Sequence, residues 1–563
     1  MKVLVQGKGQ VSLLDSNFVA QGGEGKVYVK GGRAYKIFHD PKTMIPEEKI
    51  RELSVLTKNT IIKPENLIYT TKNTLIGFMM QTVPQSIPLP RMFTSAYLNR
   101  NNLNNDTVTK LVTNIKDTIS HVHDHDIIMV DGNELNYLIE TRKHTTAYCI
   151  DVNSWQTPNY PATVIMPSIR DWHATEFTEI SDWFSFAVIA CQLFIGIHPY
   201  KGKNSHFKRA TLEERMRANV SIFNPETRVP GAVRDFTNIP KSYYDWFKEV
   251  FENGYRSTPP DMKGQYIILP ITPIITTHTG SKYFTIQQLN DYPGDIIDCT
   301  YFGRQYIIYT KKDVVIYNNN SYIKDTTSKV FSHSMSQKTF LVKTKDESLV
   351  YRSLEDSQSP YHSTNIKVEK TMIYENRLYG VNKDRFFEID VLDTGSKPTF
   401  YILNTWEIFN NSTEMLDGVL CSSILGKTHL YLPYAPNKCA IVAIPELDKY
   451  KIIDAKCRDR VCMIIGQSGS KYDKFIIVFD ENFKKYDIRI LKDADNMLNF
   501  ICLPNGLTIS IHEDGALEMF RAKASSDVQV YKDSAIKSSM TLAHEGNIVR
   551  FYEMNRMYQL KMK

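Results

Sequence analysis

Three polar side chains in the first half of the chain have the types and the spacing that phosphoryl transfer requires. Asp131 and Asn136 begin and end the run Asp-Gly-Asn-Glu-Leu-Asn, and Asp151 follows fifteen residues after Asn136. A carboxylate can accept the proton of an attacking hydroxyl, while an amide and a second carboxylate can hold the magnesium ion that bridges nucleotide phosphates. The spacing predicts Asp131 as the base, with Asn136 and Asp151 as metal ligands.

A glycine-rich stretch upstream supplies a companion signal, which is needed because a single match of this kind arises often by chance. Alternation on both sides of the stretch predicts a strand, a turn with three glycines and a second strand that begins near Val27. Glycines in the turn let backbone amides approach phosphate oxygens. A two-glycine hairpin signal follows, and Lys36 then lies alone in a short apolar strand.

A helix and a strand are predicted next. Ile50, Leu53 and Leu56 have helical spacing and leave Glu52 beside the apolar stripe, a position that Glu48 shares. The helix-face argument favours Glu52. Residues 75–84 predict a buried strand that runs into a hinge.

Taken in order, these landmarks resemble those of protein kinases over residues 10–265. Downstream landmarks agree with the resemblance, because His123 precedes Asp131 by eight residues, a long apolar helix follows Asp182, and Arg256 closes the segment. The chain is most similar to divergent bacterial and phage kinase-like proteins. In these, an aspartate and a short polar stretch ending in Trp-Gln or Phe-Gln replace Asp-Phe-Gly, as residues 151–156 do here.

The resemblance implies an α+β bilobal fold with an N-lobe at 1–90 and a C-lobe at 91–265. It implies that ATP lies between the lobes, that magnesium binds Asn136 and Asp151, and that Asp131 orients a serine or threonine hydroxyl. Asp182 would brace the catalytic loop, and Glu52 would hold Lys36. The implied catalytic residues are Asp131, Lys36 and Glu52. The implied nucleotide-binding residues are Gly22, Gly23, Gly25, Val27, Ala34, Lys36, Gln81 and Val83.

Several positions depart from the kinase pattern. Asn133 stands where kinases have a lysine that neutralises the transferring phosphoryl group, and losing that cation could lower the rate on the order of a hundredfold. Another lysine or arginine, for example Arg142 or Lys143, would have to substitute for it. Met129 and Val130 replace the usual His-Arg, and residues 160–173 lack Ala-Pro-Glu. Three functions stay open: an active Ser/Thr kinase, an ATP-binding or inert pseudokinase scaffold, and another phosphotransfer such as small-molecule phosphorylation.

The second half has a different character. After a linker at 266–285, residues 286–563 contain short β-branched and aromatic runs separated by polar turns, and hairpins recur about every forty residues. That period suits four-stranded propeller blades and predicts six or seven of them, although no Gly-His or Trp-Asp signature marks them. A pair of β-sandwiches is the alternative. A propeller face would recruit a protein partner or substrate. Alternatively, the second half is a rigid spacer, or it is a component of a larger particle such as a phage particle.

The composition argues against several classes of protein. The longest apolar run, fifteen residues from Trp183, is shorter than the roughly twenty that a membrane span needs. The first residues lack the apolar core of a secretion signal, so we expect a cytoplasmic protein, in a host cytoplasm or a virion if it is phage-encoded. A net charge of +6 without a basic run argues against nucleic acid, and the eight cysteines are expected to be reduced. The alternate histidines at 121, 123 and 125 are expected to pack rather than bind metal.

Overall fold

The structure is a computed structural model of one chain. It describes residues 1–563 except 84, 163, 209, 232, 263–280, 303–304, 312–313, 318–319, 326, 334–337, 357–358, 394–396 and 470. The described residues form two compact units, the first ending at Met262 and the second starting at Ser281, with Asn99–Asn102 grouped with the second. Most of the predicted linker, residues 266–280, lies outside the described residues.

The first unit begins with a seven-stranded antiparallel sheet. Its strands are β1 (Lys2–Val5), β2 (Gly9–Ser12), β3 (Phe18–Gln21), β4 (Gly25–Lys30), β5 (Arg33–Phe38), β6 (Asn66–Tyr69) and β7 (Leu75–Gln81), in the spatial order β2-β1-β6-β7-β5-β4-β3. Apolar residues that alternate along these strands, among them Val3, Phe18, Ile68 and Met79, are buried together on one face. Helix α1 (Glu47–Leu53) connects β5 to β6.

The rest of the first unit is mainly helical. Its elements are β8 (Ser86–Pro88), α2 (Ser95–Arg100), α3 (Asn105–His123), β9 (Tyr137–Glu140), β10 (Ala147–Cys149), α4 (Glu179–Ile195), β11 (Lys203–Asn204), α5 (Leu212–Arg217), β12 (Thr227–Arg228) and α6 (Lys241–Phe251). Helix α4 contains most of the long apolar run and is buried from Ser181 onward. A capping box between Thr178 and Ser181 begins it, and Gly196, with a φ of 82°, ends it.

The second unit consists of small antiparallel sheets. Among its described residues there are seven of these, each with four strands. Four sheets whose strands follow one another along the chain are β14–β17 (Ile296–Phe302, Gln305–Thr310, Val314–Tyr317, Asn320–Ile323), β18–β21 (Lys329–Ser332, Thr339–Lys345, Ser348–Ser353, His362–Lys367), β22–β25 (Lys370–Tyr374, Arg377–Asn382, Arg385–Leu392, Thr399–Glu407) and β26–β29 (Thr413–Met415, Leu420–Ile424, Lys427–Ala435, Lys438–Ala443).

The remaining sheets complete the unit. They are β30–β33 (Lys451–Arg458, Val461–Ser468, Lys471–Phe479, Tyr486–Leu491), β34–β37 (Phe500–Cys502, Thr508–Ile511, Leu517–Phe520, Gln529–Tyr531), and β13 (Phe284–Asp291) with β38–β40 (Thr541–Glu545, Ile548–Glu553, Arg556–Met562). The last of these joins the first strand of the unit to its final three, because β13 pairs along its length with β40. Successive four-stranded sheets begin at residues 296, 329, 370, 413, 451 and 500, so the hairpin period of about forty residues corresponds to one four-stranded sheet.

Aspartates hold several of the loops that lead from one sheet to the next. Asp325, Asp448, Asp495 and Asp533 lie in such loops. Each accepts a hydrogen bond from a backbone N–H, for example that of Met497 to Asp495 at 2.8 Å. Such a carboxylate satisfies a backbone amide and ties its loop to that position.

Two expectations from composition concern the whole chain. All eight cysteines are free thiols, and six of them are buried. Among the described residues, the structure contains no helix with both the length and the apolar character of a membrane span.

Candidate active site

Strands β4 and β5 position Lys36 under the glycine-rich turn. Lys36 lies opposite Val27 in β4 and opposite Phe78 in β7, so its strand is held on both sides. Two glycines permit this close approach, because a Cβ at Gly25 would lie 2.3 Å from the carbonyl oxygen of Ile37, and one at Gly77 would lie 2.0 Å from that of Lys36. Cβ atoms at Gly22 or Gly23 would meet nothing within 4 Å, which leaves the outer part of the turn open.

The ammonium of Lys36 makes three contacts with oxygen atoms. Its Nζ lies 2.6 Å from Oε2 of Glu24, 3.0 Å from Oδ1 of Asp151 and 3.1 Å from Oδ1 of Asn153. The Lys36 side chain is only 6% exposed, whereas those of Glu24 and Asp151 are about half exposed. Burial lowers the pKa of Lys36, but the nearby Asp151 and Glu24 outweigh it and raise the pKa above its usual value. Lys36 is therefore a fixed cation at the site.

The structure corrects the predicted partner of Lys36. Glu52 lies on α1, but its carboxylate accepts hydrogen bonds from the side chain of Asn159 at 2.6 Å and from its backbone N–H at 3.4 Å. The described contacts of Lys36 do not include Glu52. The helix-face argument located Glu52 beside the apolar stripe but could not show which loop the side chain meets. In the structure, the glutamate that contacts Lys36 is Glu24, in the glycine-rich turn.

Asp131 is held at the end of a strained loop. Val130, just before it, has a φ of 59°, which is unfavourable for a β-branched residue. The buried carboxylate of Asp182 offsets this cost by accepting the N–H groups of Met129 at 2.7 Å and Val130 at 2.8 Å. His123 also contacts Asp182, at 2.9 Å. The predicted bracing role of Asp182 is confirmed, and His123 has the packing role that was expected.

The carboxylate of Asp131 is partly covered by the following loop. The backbone N–H of Met166 donates to its Oδ1 at 2.8 Å. Burial raises the pKa of Asp131, more than the Met166 bond and the Asn133 amide lower it. A carboxylate with a raised pKa is a better proton acceptor than an ordinary aspartate, provided that a substrate hydroxyl displaces Met166 from one of its oxygens.

Asn136 and Asp151 are brought together by a hairpin. Tyr137 in β9 pairs with Cys149 in β10, so Asn136 lies opposite Ile150, whose N–H donates to the Asn136 carbonyl oxygen at 2.9 Å. The Asn136 side-chain Nδ2 donates to the backbone oxygen of Asp131 at 2.8 Å. Asp151 has a left-handed backbone conformation, with a φ of 58°. An amide oxygen and a half-exposed carboxylate are donors that suit Mg²⁺, so these residues fit the predicted ion.

The other residues predicted to bind the nucleotide lie in the same sheet or just after it, with Gln81 and Val83 expected to meet the adenine. Ala34 is buried between Val29 and Met80, Gln81 ends β7 opposite Arg33, and Val83 is half-buried. Pro84, in the predicted hinge, lies outside the described residues. The involvement of Val27, Ala34, Gln81 and Val83 in nucleotide binding stays a prediction.

Neither cation suggested as a substitute for the missing lysine is well placed. Arg142 and Lys143 are exposed and lie in the turn between β9 and β10, at the opposite end of this hairpin from Asn136 and Asp151. Strands of this length separate the two ends by roughly 10 Å or more. Lys49 on α1 is a further cation of this unit: it is buried, and burial lowers its pKa more than the charges of Glu52 and Glu24 raise it.

Sequence reasoning missed three groups of the site and one ion pair of the same unit. Glu24 and Asn153 contact Lys36, and the Met166 amide covers Asp131. Asp171 makes a two-bond pair with Arg256 at 2.7 and 2.9 Å. The sequence does contain a signal for Asn153, because this residue lies two positions after Asp151 in the polar stretch 151–156. A backbone amide such as that of Met166 leaves no mark in residue type.

Comparisons with known proteins add little to this geometry. No protein-family model and no curated protein matches the chain. Among solved structures, the chain is similar to the kinase PK-1 of Cydia pomonella granulovirus, at 15% identity and a TM-score of 0.31. The match covers 42% of this chain and 88% of that one. A TM-score this low carries no argument about fold or function.

Proposed function

We propose that the first unit is a kinase-like domain that binds Mg-ATP and transfers its γ-phosphoryl group to a serine or threonine hydroxyl of a protein. Lys36 would bind the phosphates, Asn136 and Asp151 would hold magnesium, and Asp131 would orient the hydroxyl and accept its proton. Magnesium would supply charge neutralisation at the phosphates.

One observation carries the proposal. The contact between Lys36 and Asp151 joins residues 115 apart in sequence at 3.0 Å, and the hairpin brings Asn136 beside Asp151. A cation for phosphate, two oxygen ligands for a metal and a partly covered carboxylate for a proton thus lie within one constellation. The sequence signals for these groups are independent of one another, so their proximity is unexpected for a purely structural set of residues.

A specific feature favours a second candidate, a pseudokinase scaffold. The side chain of Asn133 accepts the N–H of Leu135 at 2.8 Å and caps the short helix Glu134–Asn136, so it serves the loop and supplies no positive charge. Together with the remote position of Arg142 and Lys143, this leaves the site without the cation that kinases have at the position of Asn133. A site of this kind can bind nucleotide while transferring phosphate slowly or not at all.

For the second unit, we propose a seven-bladed propeller that recruits a protein partner. Seven four-stranded sheets and the pairing of β13 with β40 support it, because sharing a sheet between the first and last strands would close a ring. A crystal structure of the full chain tests the arrangement: seven sheets around one axis would support it, and sheets packed in face-to-face pairs would overturn it.

The deciding experiment measures transfer of labelled γ-phosphate from Mg-ATP to the protein itself and to a mixed protein lysate. Wild type is compared with Asp151→Ala, Asp131→Asn and the control Asp124→Asn, which neutralises an exposed aspartate near the same loop. Incorporation that Asp151→Ala and Asp131→Asn abolish, and Asp124→Asn retains, would support a kinase.

The same samples separate the two candidates. If no variant incorporates label but Mg-ATP raises the Tm of wild type and not of Asp151→Ala, the protein is a nucleotide-binding pseudokinase. If Mg-ATP changes neither incorporation nor Tm in any sample, the nucleotide site itself is disproved.

A further inference from the structure

Glu24 is the one acidic residue of the glycine-rich turn between β3 and β4. Its backbone is held from both directions, since its carbonyl oxygen accepts the N–H of His39 at 2.8 Å, and the neighbouring Gly22 donates to Gly25 at 2.9 Å. The turn therefore presents the Glu24 side chain from a fixed base. That side chain is about half exposed, so solutes can reach it.

A single oxygen of Glu24 receives two hydrogen bonds at the centre of the site. Its Oε2 accepts from Lys36 Nζ at 2.6 Å and from the Nδ2 of Asn153 at 3.2 Å. Asn153 is buried, and its own Oδ1 accepts from Lys36 at 3.1 Å. Glu24, Lys36 and Asn153 thus form a closed triangle that ties the glycine-rich turn to the segment after Asp151.

The position taken by this oxygen is one that a nucleotide phosphate would need. A phosphate bound under the turn requires the Lys36 ammonium as its counter-ion, and Glu24 already supplies an anionic oxygen to it at a short distance. Glu24 and Asp151 already place two carboxylates on this buried ammonium, so a phosphate would be a third anion, and its repulsion with Glu24 favours displacement of that carboxylate. The exposed flank of Glu24 and the open space above Gly22 and Gly23 leave the carboxylate room to swing outward.

We propose that Glu24 is a built-in lock on the phosphate-binding site: its carboxylate stands in for a nucleotide phosphate on Lys36, and binding of a phosphate-bearing nucleotide displaces it. The inference rests on the proposed nucleotide site and adds a regulatory property to it. The lock acts on phosphates alone, because Glu24 contacts the groups expected to hold phosphates and not those expected to hold the base.

Removal of the lock therefore has a distinctive signature. Glu24→Gln removes the negative charge, and Glu24→Ala removes the hydrogen bonds as well. We expect the affinity for Mg-ATP to rise about five- to tenfold in Glu24→Gln, and at least as much in Glu24→Ala, which matches the strength of a half-exposed, charge-assisted contact. The affinity for adenosine, which lacks phosphate, should stay the same.

The test is calorimetric titration of the full chain with Mg-ATP and with adenosine. Glu48→Gln is the matched control, because it removes one exposed carboxylate from the same part of the unit, at a position outside the triangle. Equal Tm values among the variants verify that each is folded. Tighter Mg-ATP binding by both Glu24 variants, with adenosine binding unchanged and Glu48→Gln like wild type, would support the lock.

Other outcomes overturn one proposal or the other. If wild type binds Mg-ATP and the Glu24 variants bind it equally or more weakly, the lock is wrong and the nucleotide site stands. A gain that Glu48→Gln shares, or that appears equally with adenosine, would also overturn the lock, because it would reflect net charge or turn mobility. If no variant binds Mg-ATP, Glu24→Ala included, the nucleotide site is disproved and the lock with it.

Discussion

The two units each contain a buried lysine, and the difference between these lysines separates the proposed site from a structural contact. Lys36 of the first unit and Lys474 of the second are both nearly inaccessible, with side chains 6% and 3% exposed. Lys474 pairs with Asp495 at 2.5 Å, and that carboxylate is 7% exposed. Asp151 and Glu24, the counter-ions of Lys36, are about half exposed.

The exposure of the counter-ion decides what each lysine can do. No solute can replace Asp495 without opening the sheet, so the pair of Lys474 and Asp495 is a permanent part of the fold. Glu24 and Asp151 face solvent, so a ligand anion or a metal ion can exchange with their contacts to Lys36. Buried charge therefore indicates function here only where its partners are accessible.

Substitution of the two lysines by methionine should give the largest effects that we expect. One substitution should lower stability, and the other should abolish Mg-ATP binding. Lys474→Met leaves the carboxylate of Asp495 buried without its cation, and we expect it to lower the free energy of unfolding by about 3–5 kcal/mol. Lys36→Met frees two carboxylates that water can solvate, so stability should change by less than about 1 kcal/mol while Mg-ATP binding is lost. Urea unfolding and calorimetric titration measure the two properties.

The double variant Lys474→Met/Asp495→Leu is the control for the buried pair. It should recover much of the stability lost in Lys474→Met, because no charge is left buried. A Lys36→Met variant that binds Mg-ATP as wild type does, or a Lys474→Met variant as stable as wild type, would show that counter-ion exposure does not distinguish these lysines.

Acid should affect the two units in different pH windows. Burial lowers the pKa of His198 to about 3, and the ring fits its neutral form, bonding the Ser168 carbonyl through Nε2 and the Tyr200 N–H through Nδ1. The charges of Lys201 and Arg215 act in the same direction. Above about pH 6.5, the pKa of an unfolded histidine, His198 does not reduce the stability of the first unit. Below that pH the free energy of unfolding falls by about 1.4 kcal/mol for each pH unit, because the unfolded chain binds a proton that the folded His198 excludes.

The corresponding window of the second unit lies lower. Burial would raise the pKa of Asp495, but Lys474 and backbone N–H groups outweigh burial and lower it. Its contribution is present above the unfolded-state value of about 3.9 and is lost as pH falls further. Hydrogen exchange of the full chain at pH 7.0, 5.5 and 4.5 should show opening of the segment around Tyr200 first. His198→Gln should remove that early loss; equal behaviour of the two units would contradict the assignment.

The parts of the fold and of the site that could be predicted are those whose signals lie within short stretches of the sequence. Asp131, Asn136, Asp151 and Lys36 were found because the chemistry fixes their types and spacing. The partner of Lys36 was not, because periodicity places Glu52 on a face of α1 but does not say what lies opposite that face. Strand density predicted small sheets in the second half, whereas loop aspartates such as Asp495 repeat too irregularly to mark them. Contacts between distant segments, and backbone donors such as Met166, need the fold.

The smallest expected effect tests the finding that Lys36 contacts Glu24 and not Glu52. In the structure its carboxylate holds Asn159, in the loop that also carries Met166, and does not contact Lys36. Glu52→Gln keeps the shape and one acceptor oxygen, so we expect Mg-ATP affinity to change less than twofold, while Asn153→Ala, which removes a direct partner of Lys36, should change it severalfold. Calorimetric titration of both variants measures the difference. A large loss in Glu52→Gln alone would mean that the nucleotide-bound protein forms the predicted ion pair, and that Lys36 changes partner from Glu24 to Glu52 when the nucleotide enters.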